Sequence, residues 1–201
     1  MFFVEDTIRN LLREFDRVPQ HRKVILNDIA GFCRSTSPAN LVFICTHNSR
    51  RSHISQVWAQ TAAAYFNTSH VASYSGGTEA TAFNPRAVRA MRELGFEIEV
   101  ATNNQNPRYL VRYSDAHPSF EVFSKKYDDR ENPSTGFAAI MTCTHADENC
   151  PVVSGASVRI SLPFDDPKDF DGTDVERIKY HERSLEIGRE ILYAFSQIGK
   201  L

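Results

Sequence analysis

The residues Cys45-Thr46-His47-Asn48-Ser49-Arg50-Arg51-Ser52 hold the groups best suited to chemistry in this sequence. In a tight loop, successive backbone N–H groups converge on an anion. A helix opening near Ser52 adds its positive end, and the planar fork of Arg51 can grip two oxygens at once. Cys45 sits in that positive field, which favours the thiolate. A thiolate so placed is aimed at the central atom of a bound tetrahedral oxyanion. Asn48 tolerates left-handed backbone and can bond its own loop. Ser52 can donate to the sulfur or cap the helix. Thr46, His47, Asn48, Ser49, Arg50, Arg51 and Ser52 are therefore the expected oxyanion-binding residues, with Cys45 the nucleophile. A lone cysteine after a strand is more often a small buried hydrophobe, and Cys33 is read that way. The strand before, the helix after, and the Asn and Ser in place make the Cys45 pattern specific.

Attack on such a centre must expel an oxygen, which needs a proton. In Asp165-Asp166-Pro167 the proline restricts the residue before it, so Asp166 is the expected acid. Alone, the segment would pass for an ordinary Asp-Pro turn. Cys143 and Cys150 lie seven positions apart. As a helix they would be separated by roughly 10 Å, too far to bridge without rearrangement. A dithiol near a reactive thiolate suggests a redox relay. A metal site from Cys143, His145 and Cys150 lacks a fourth ligand and the tighter spacing zinc prefers, so no metal is expected. His47, His53 and His145 read as polar loop or helix residues.

The elements that must position these groups alternate in type. Leu41-Val42-Phe43-Ile44 fits a buried parallel strand, as do 71–75, 137–142 and 158–162. Ile54, Val57, Trp58, Ala62 and Tyr65 repeat at helical spacing. Asn84-Pro85 reads as an N-cap and first helical residue, and Gly95 ends that helix. Thr173 with Glu176 resembles a capping box opening a final helix whose apolar face holds Ile178, Leu185, Leu192 and Phe195. This alternation predicts an α/β fold: a central four-stranded parallel sheet with helices on both faces, plus N-terminal helices and an inserted hairpin-like segment. Ligands of such sheets bind beyond the C-terminal strand ends, where Cys45, Cys143 and Asp166 all fall. The expected organisation is a single domain over 1–201, with an N-terminal helical extension at 1–36, the main unit at 40–201 and an insertion at 103–136. Tyr109–Tyr113 and Phe120–Phe123 suggest a hairpin around His117-Pro118. The insertion reads as a surface excursion rather than a lid or a dimer contact.

The chain of 201 residues is 41% hydrophobic and 24% charged, with a net charge of -2. That balance is globular and lacks the basic excess of nucleic-acid or membrane binders, so neither partner is expected. Met1-Phe2-Phe3-Val4-Glu5-Asp6 meets charge too early for a signal peptide. Four cysteines in a chain this long make no secreted disulfide scaffold. A cytoplasmic setting is the expectation.

Cys45 to Ser52 resembles the catalytic loop of the low-molecular-weight protein tyrosine phosphatases, and Asp166-Pro167 resembles their general-acid loop. The sequence is more similar still to the thioredoxin-coupled arsenate reductases, which share that fold. Ile44-Cys45-Thr46, Asn48-Ser49 and Arg51-Ser52 look like their loop. Ser75, Glu79, Asn84-Pro85 and Ala87-Val88 look like their second strand and helix. Thr142-Cys143, Ala146-Asp147 and Asn149-Cys150-Pro151 look like their redox segment. The resemblance implies that Cys45 attacks arsenate, Asp166 protonates the departing oxygen, and Cys143 attacks Cys45 to release arsenite. Cys150 then attacks Cys143, and a thioredoxin-like reductant opens the Cys143–Cys150 disulfide. No cofactor is implied. His47 stands where these families often carry glycine, and Arg50 where they often carry cysteine. Lys168-Asp169-Phe170 lacks the tyrosines that the phosphatases place beside an aryl ring. The alternative function is a phosphatase acting through a phosphocysteine on a phosphotyrosine protein or a small aryl or acyl phosphate. A third is a noncatalytic anion-binding redox sensor.

Overall fold

The computed structural model describes residues 1–149 and 152–199. Its centre is β1 (Ala39–Cys45), buried along almost its whole length. On one side β1 pairs in parallel with β2 (Val71–Gly77), and on the other with β6 (Phe137–Met141). β7 (Ala156–Ser161) adds to β6, giving a parallel sheet of order β2-β1-β6-β7. Alternation along the strands divides the apolar side chains between two clusters. Leu41, Phe43, Ala138 and Ile140 join the larger core. Val42, Ile44, Ala139 and Met141 join a smaller one with Cys45, Cys143, Ala146 and Val153.

Helices cover the two faces unequally. The larger core takes in residues of α2 (Gln20–Ser35), α3 (Arg51–Tyr65) and α6 (Glu176–Ile198), with α1 (Glu5–Leu12) packed on α6. The smaller cluster is covered by α5 (Thr144–Asn149) and flanked by Tyr74 and Tyr127. α4 (Pro85–Glu93) also packs on α6 and opens as expected, with Asn84 accepting from the Arg86 amide at 2.9 Å. The N-terminal helices reach the base of the acid loop. Arg22 on α2 donates to Glu190 at 2.9 Å and to the Pro163 carbonyl at 2.8 Å, and lies 4.7 Å from the centre of the Phe164 ring.

Several features depart from the sequence reading. A second, antiparallel sheet forms from β3 (Glu97–Val100), β4 (Tyr109–Arg112) and β5 (Phe120–Val122). The hairpin was legible but β3 was not. The Thr173–Glu176 capping box does not form: α6 begins at Glu176 behind Val175, and the Glu176 carboxylate takes the Gly172 amide at 2.8 Å and the guanidinium groups of Arg86 and Arg89. Ile178, expected in the core, is 55% exposed. The insertion, too, is more than a surface excursion. Ser124, Lys125 and Asn132 are buried within it, and it closes against the end of β2. The Gly77 amide donates to the Lys125 carbonyl and the Tyr127 amide to the Gly77 carbonyl, both at 2.9 Å. Only glycine fits at 77, because a Cβ there would collide with Asn48 N and the carbonyls of Thr46 and Glu79.

His53 is buried between α3 and this insertion, not on a polar face. Its Nε2 lies 3.2 Å from the Phe123 carbonyl and its ring 4.4 Å from that of Phe83. Burial, helped by the nearby Lys125 charge, pushes its pKa down to about 3, against the bonds to Phe123 and Ser49 that raise it. In the unfolded chain a histidine takes its proton near 6.5. Between those values the unfolded state binds more protons, so this group makes stability fall as pH drops from about 6.5 towards 3, by about 1.4 kcal/mol per pH unit. Urea unfolding at pH 7 and pH 5 is expected to show the loss. His53→Gln should remove close to one proton from the slope, and an unchanged slope would rule the assignment out.

Candidate active site

The loop between β1 and α3 is built by local necessity. Asn48 adopts a left-handed φ of 44°, a conformation asparagine tolerates better than most residues. Its amide is oriented by the insertion, since the Lys125 backbone N–H donates to Asn48 Oδ1 at 2.8 Å. Asn48 Nδ2 must then face the other way, and it donates to Ser52 Oγ at 2.8 Å. Ser52 Oγ in turn lies 3.1 Å from Cys45 Sγ. The Ser52 hydroxyl, which accepts from Asn48, still has its hydrogen to give and can donate it to the sulfur, an arrangement suited to a thiolate. The segment after β2 fastens the rest of the loop. The amides of Glu79 and Asn84 donate to the carbonyls of Thr46 and Ser49, each at 2.8 Å, and the hydroxyls of Thr81 and Ser124 donate to the His47 carbonyl at 3.1 Å. Among the described residues, the backbone N–H groups of 46 to 50 donate to no acceptor of the chain. A row of such donors ahead of a helix start is suited to an anion.

Arg51 opens α3 and crosses to the acid loop. Its Nη2 donates to Asp166 Oδ2 at 2.6 Å and its Nη1 to the Phe164 carbonyl at 2.9 Å. Its Nε is buried with no acceptor among the described residues. Asp166 has the extended backbone imposed by Pro167 and caps the short 3-10 turn Pro167–Phe170 through the Lys168 amide at 3.1 Å. The structure thus brings Arg51 and Asp166 together, and through the loop both are tied to Cys45.

The Arg50 side chain leaves the loop. Its Nε donates to the Tyr180 hydroxyl at 2.8 Å, and that hydroxyl donates to Asp171 at 2.7 Å. Arg50 can therefore serve an anion with its backbone N–H, while its guanidinium braces the acid loop. The His47 side chain is exposed, 3.8 Å from Glu79. Sequence reasoning missed Tyr180, Ser124 and the Lys125 amide. Lys125 supports the loop through its backbone N–H, which any residue type would supply, whereas Ser124 does so with its side-chain hydroxyl.

Cys143 follows β6 and is 1% exposed. Its sulfur lies 3.5 Å from Thr46 Oγ1 and receives the Ala146 amide at 3.4 Å. A second thiol thus meets the first residue of the loop. The residues between Cys143 and Cys150, Thr144–Asn149, are helical; Cys150 itself lies outside the described residues. Cys33 is buried away from the site, and burial pushes its thiol up to about 12, as befits an inert core residue. Among the described residues, no helix is long and apolar enough to cross a membrane.

No protein-family model matches the chain. Among curated proteins it is similar to the arsenate reductase of Halalkalibacterium halodurans, 29% identical over 161 residues covering 80% of this chain and 96% of that one. It is also similar to the arsenate reductase of Bacillus subtilis, 28% identical over the same shares. Among solved structures, a low-molecular-weight phosphotyrosine phosphatase from Vibrio cholerae superposes with a TM-score of 0.55 at 12% identity, covering 81% of this chain and 97% of that one. An arsenate reductase in the phosphate-binding state gives a TM-score of 0.51 at 18% identity, covering 80% and 99%. The chain resembles the arsenate reductases in sequence and has the low-molecular-weight phosphatase fold.

Proposed function

We propose, for a chain with this likeness and this fold, that it is an arsenate reductase working through three thiols. Arsenate binds the amides of 46 to 50 and the Arg51 fork, and Cys45 attacks arsenic. Once the oxyanion occupies Arg51, Asp166 is released from its ion pair, takes up a proton from solvent and passes it to the departing oxygen. Cys143 then attacks the Cys45 sulfur. The electron pair of the S–As bond stays on arsenic, which leaves as arsenite, and two thiols have become a disulfide. Cys150 resolves that disulfide, and a thioredoxin-like protein reduces the resulting Cys143–Cys150 pair. Free thiols at Cys33, Cys45 and Cys143 suit a cytoplasmic setting.

The observation that carries this reading is the Cys143 sulfur, 3.5 Å from the hydroxyl of the loop residue adjoining Cys45. A phosphatase needs no second thiol there. The phosphatase reading draws support from the other half of the site, since Cys45, Ser52, Arg51 and Asp166 suffice to form and hydrolyse a phosphocysteine. Assays of arsenate and of an aryl phosphate, each with and without thioredoxin, test the choice. Arsenate should turn over only with thioredoxin, and the aryl phosphate should be cleaved weakly in both conditions, because the attack step is shared. Turnover of the aryl phosphate alone would replace the reductase reading with the phosphatase one.

A further inference from the structure

We infer that His145 is the proton acceptor that turns Cys143 into a nucleophile, acting through the Thr46 hydroxyl; the step it serves rests on the reductase reading above. Thr46 Oγ1 lies 3.2 Å from His145 Nδ1 and 3.5 Å from Cys143 Sγ. A threonine hydroxyl has one proton to give and lone pairs to receive another. It can therefore accept the S–H proton while passing its own to Nδ1. The Thr46 backbone is held in place for this, because its carbonyl takes the Glu79 amide at 2.8 Å and the Thr78 hydroxyl at 3.1 Å.

The need for such a relay follows from burial. The thiolate, not the thiol, attacks sulfur, yet Cys143 is 1% exposed and bulk water cannot serve it as a base. His145 is exposed, so a proton received there passes on to solvent. The neighbouring carboxylates suit the task less well. Asp147 is tied to Ser161 at 2.6 Å and paired with Arg159, and Glu148 is on the exposed side of α5. Beyond the loop, among the described residues, lies the exposed His47–Glu79 pair. The Ala146 amide on the sulfur stabilises the thiolate once it forms.

The step balances. The proton leaves Cys143 for Thr46 as the Thr46 proton moves to His145, giving thiolate and imidazolium. The thiolate forms a bond to Cys45 Sγ, the Cys45–arsenic bond breaks, and its electron pair remains on arsenic. As(V) becomes As(III) while two thiols are oxidised to one disulfide.

Two readouts test this. In full-length protein carrying Cys33→Ala, Cys45→Ser and Cys150→Ser, Cys143 is the sole thiol. There His145→Gln is expected to reduce thiolate absorbance at 240 nm and pH 7 by about threefold or more, as loss of a cationic partner should. With all cysteines present, His145→Gln is expected to slow single-turnover arsenite release about 100-fold, the lower end of the range for a general base. His145→Ala should regain part of that rate with added imidazole. Unchanged absorbance, or release at the parent rate, overturns the inference. A parent protein that releases no arsenite sinks the reductase reading instead, and the absorbance still decides whether His145 draws the proton from Cys143.

Discussion

Cys143→Ser is expected to lower thioredoxin-dependent arsenate turnover by roughly three orders of magnitude or more, the scale seen when one member of a catalytic unit is removed. Reduction of arsenic by two electrons requires two sulfurs to be oxidised, and a serine oxygen cannot form the disulfide. Serine is nearly isosteric with cysteine, and the site already surrounds the sulfur with a hydroxyl at 3.5 Å and an amide at 3.4 Å. The fold should therefore survive, which circular dichroism and thermal melting would check. The chain of hydrogen bonds from Lys125 through Asn48 and Ser52 to Cys45 does not pass through Cys143. Aryl phosphate cleavage, which uses that half of the site, should persist within a few-fold. The split between the two substrates is what matters. Retained arsenate turnover would eliminate the thiol relay, and loss of both activities with folding intact would mean that Cys143 belongs to the attack step.

Much of the frame was legible because burial and chain periodicity dictate it. The apolar runs 41–44 and 137–141 could lie only in a sheet covered on both faces, and both do. Asn48 was legible as a left-handed position and Asp166 as a residue aimed by its proline. What escaped depends on partners distant in sequence. β3 buries only Ile98 of its four residues, too weak a pattern to announce a strand. Glu176 looked like a capping residue, but Arg86 and Arg89 on α4 take its carboxylate, and a guanidinium contact of that kind leaves no local mark. The same limit explains His53. Next to a polar loop it read as solvated, yet the insertion that covers it arrives from seventy residues away. The insertion itself looked peripheral because it offers the site mainly backbone groups rather than a reactive side chain.

Arg51→Lys is expected to reduce kcat/KM for both arsenate and an aryl phosphate by about 10²- to 10³-fold, comparable to removing one donor from an oxyanion hole. The argument rests on geometry that a single ammonium cannot reproduce. One planar guanidinium reaches the Phe164 carbonyl with Nη1, the Asp166 carboxylate with Nη2, and keeps Nε buried with no acceptor among the described residues. Lysine carries comparable charge as a compact point with rotatable donors, so it cannot reproduce the two-pronged grip of the fork on an oxyanion. Losing the fork should therefore weaken binding of inorganic phosphate as a competitive inhibitor as well as slowing the chemistry. Because attack on either substrate passes through the same oxyanion contact, the two substrates should suffer together, unlike the split expected for Cys143→Ser. A change smaller than about threefold for both would show that Arg51 is a structural brace for the acid loop, and that the anion is held by the loop amides alone.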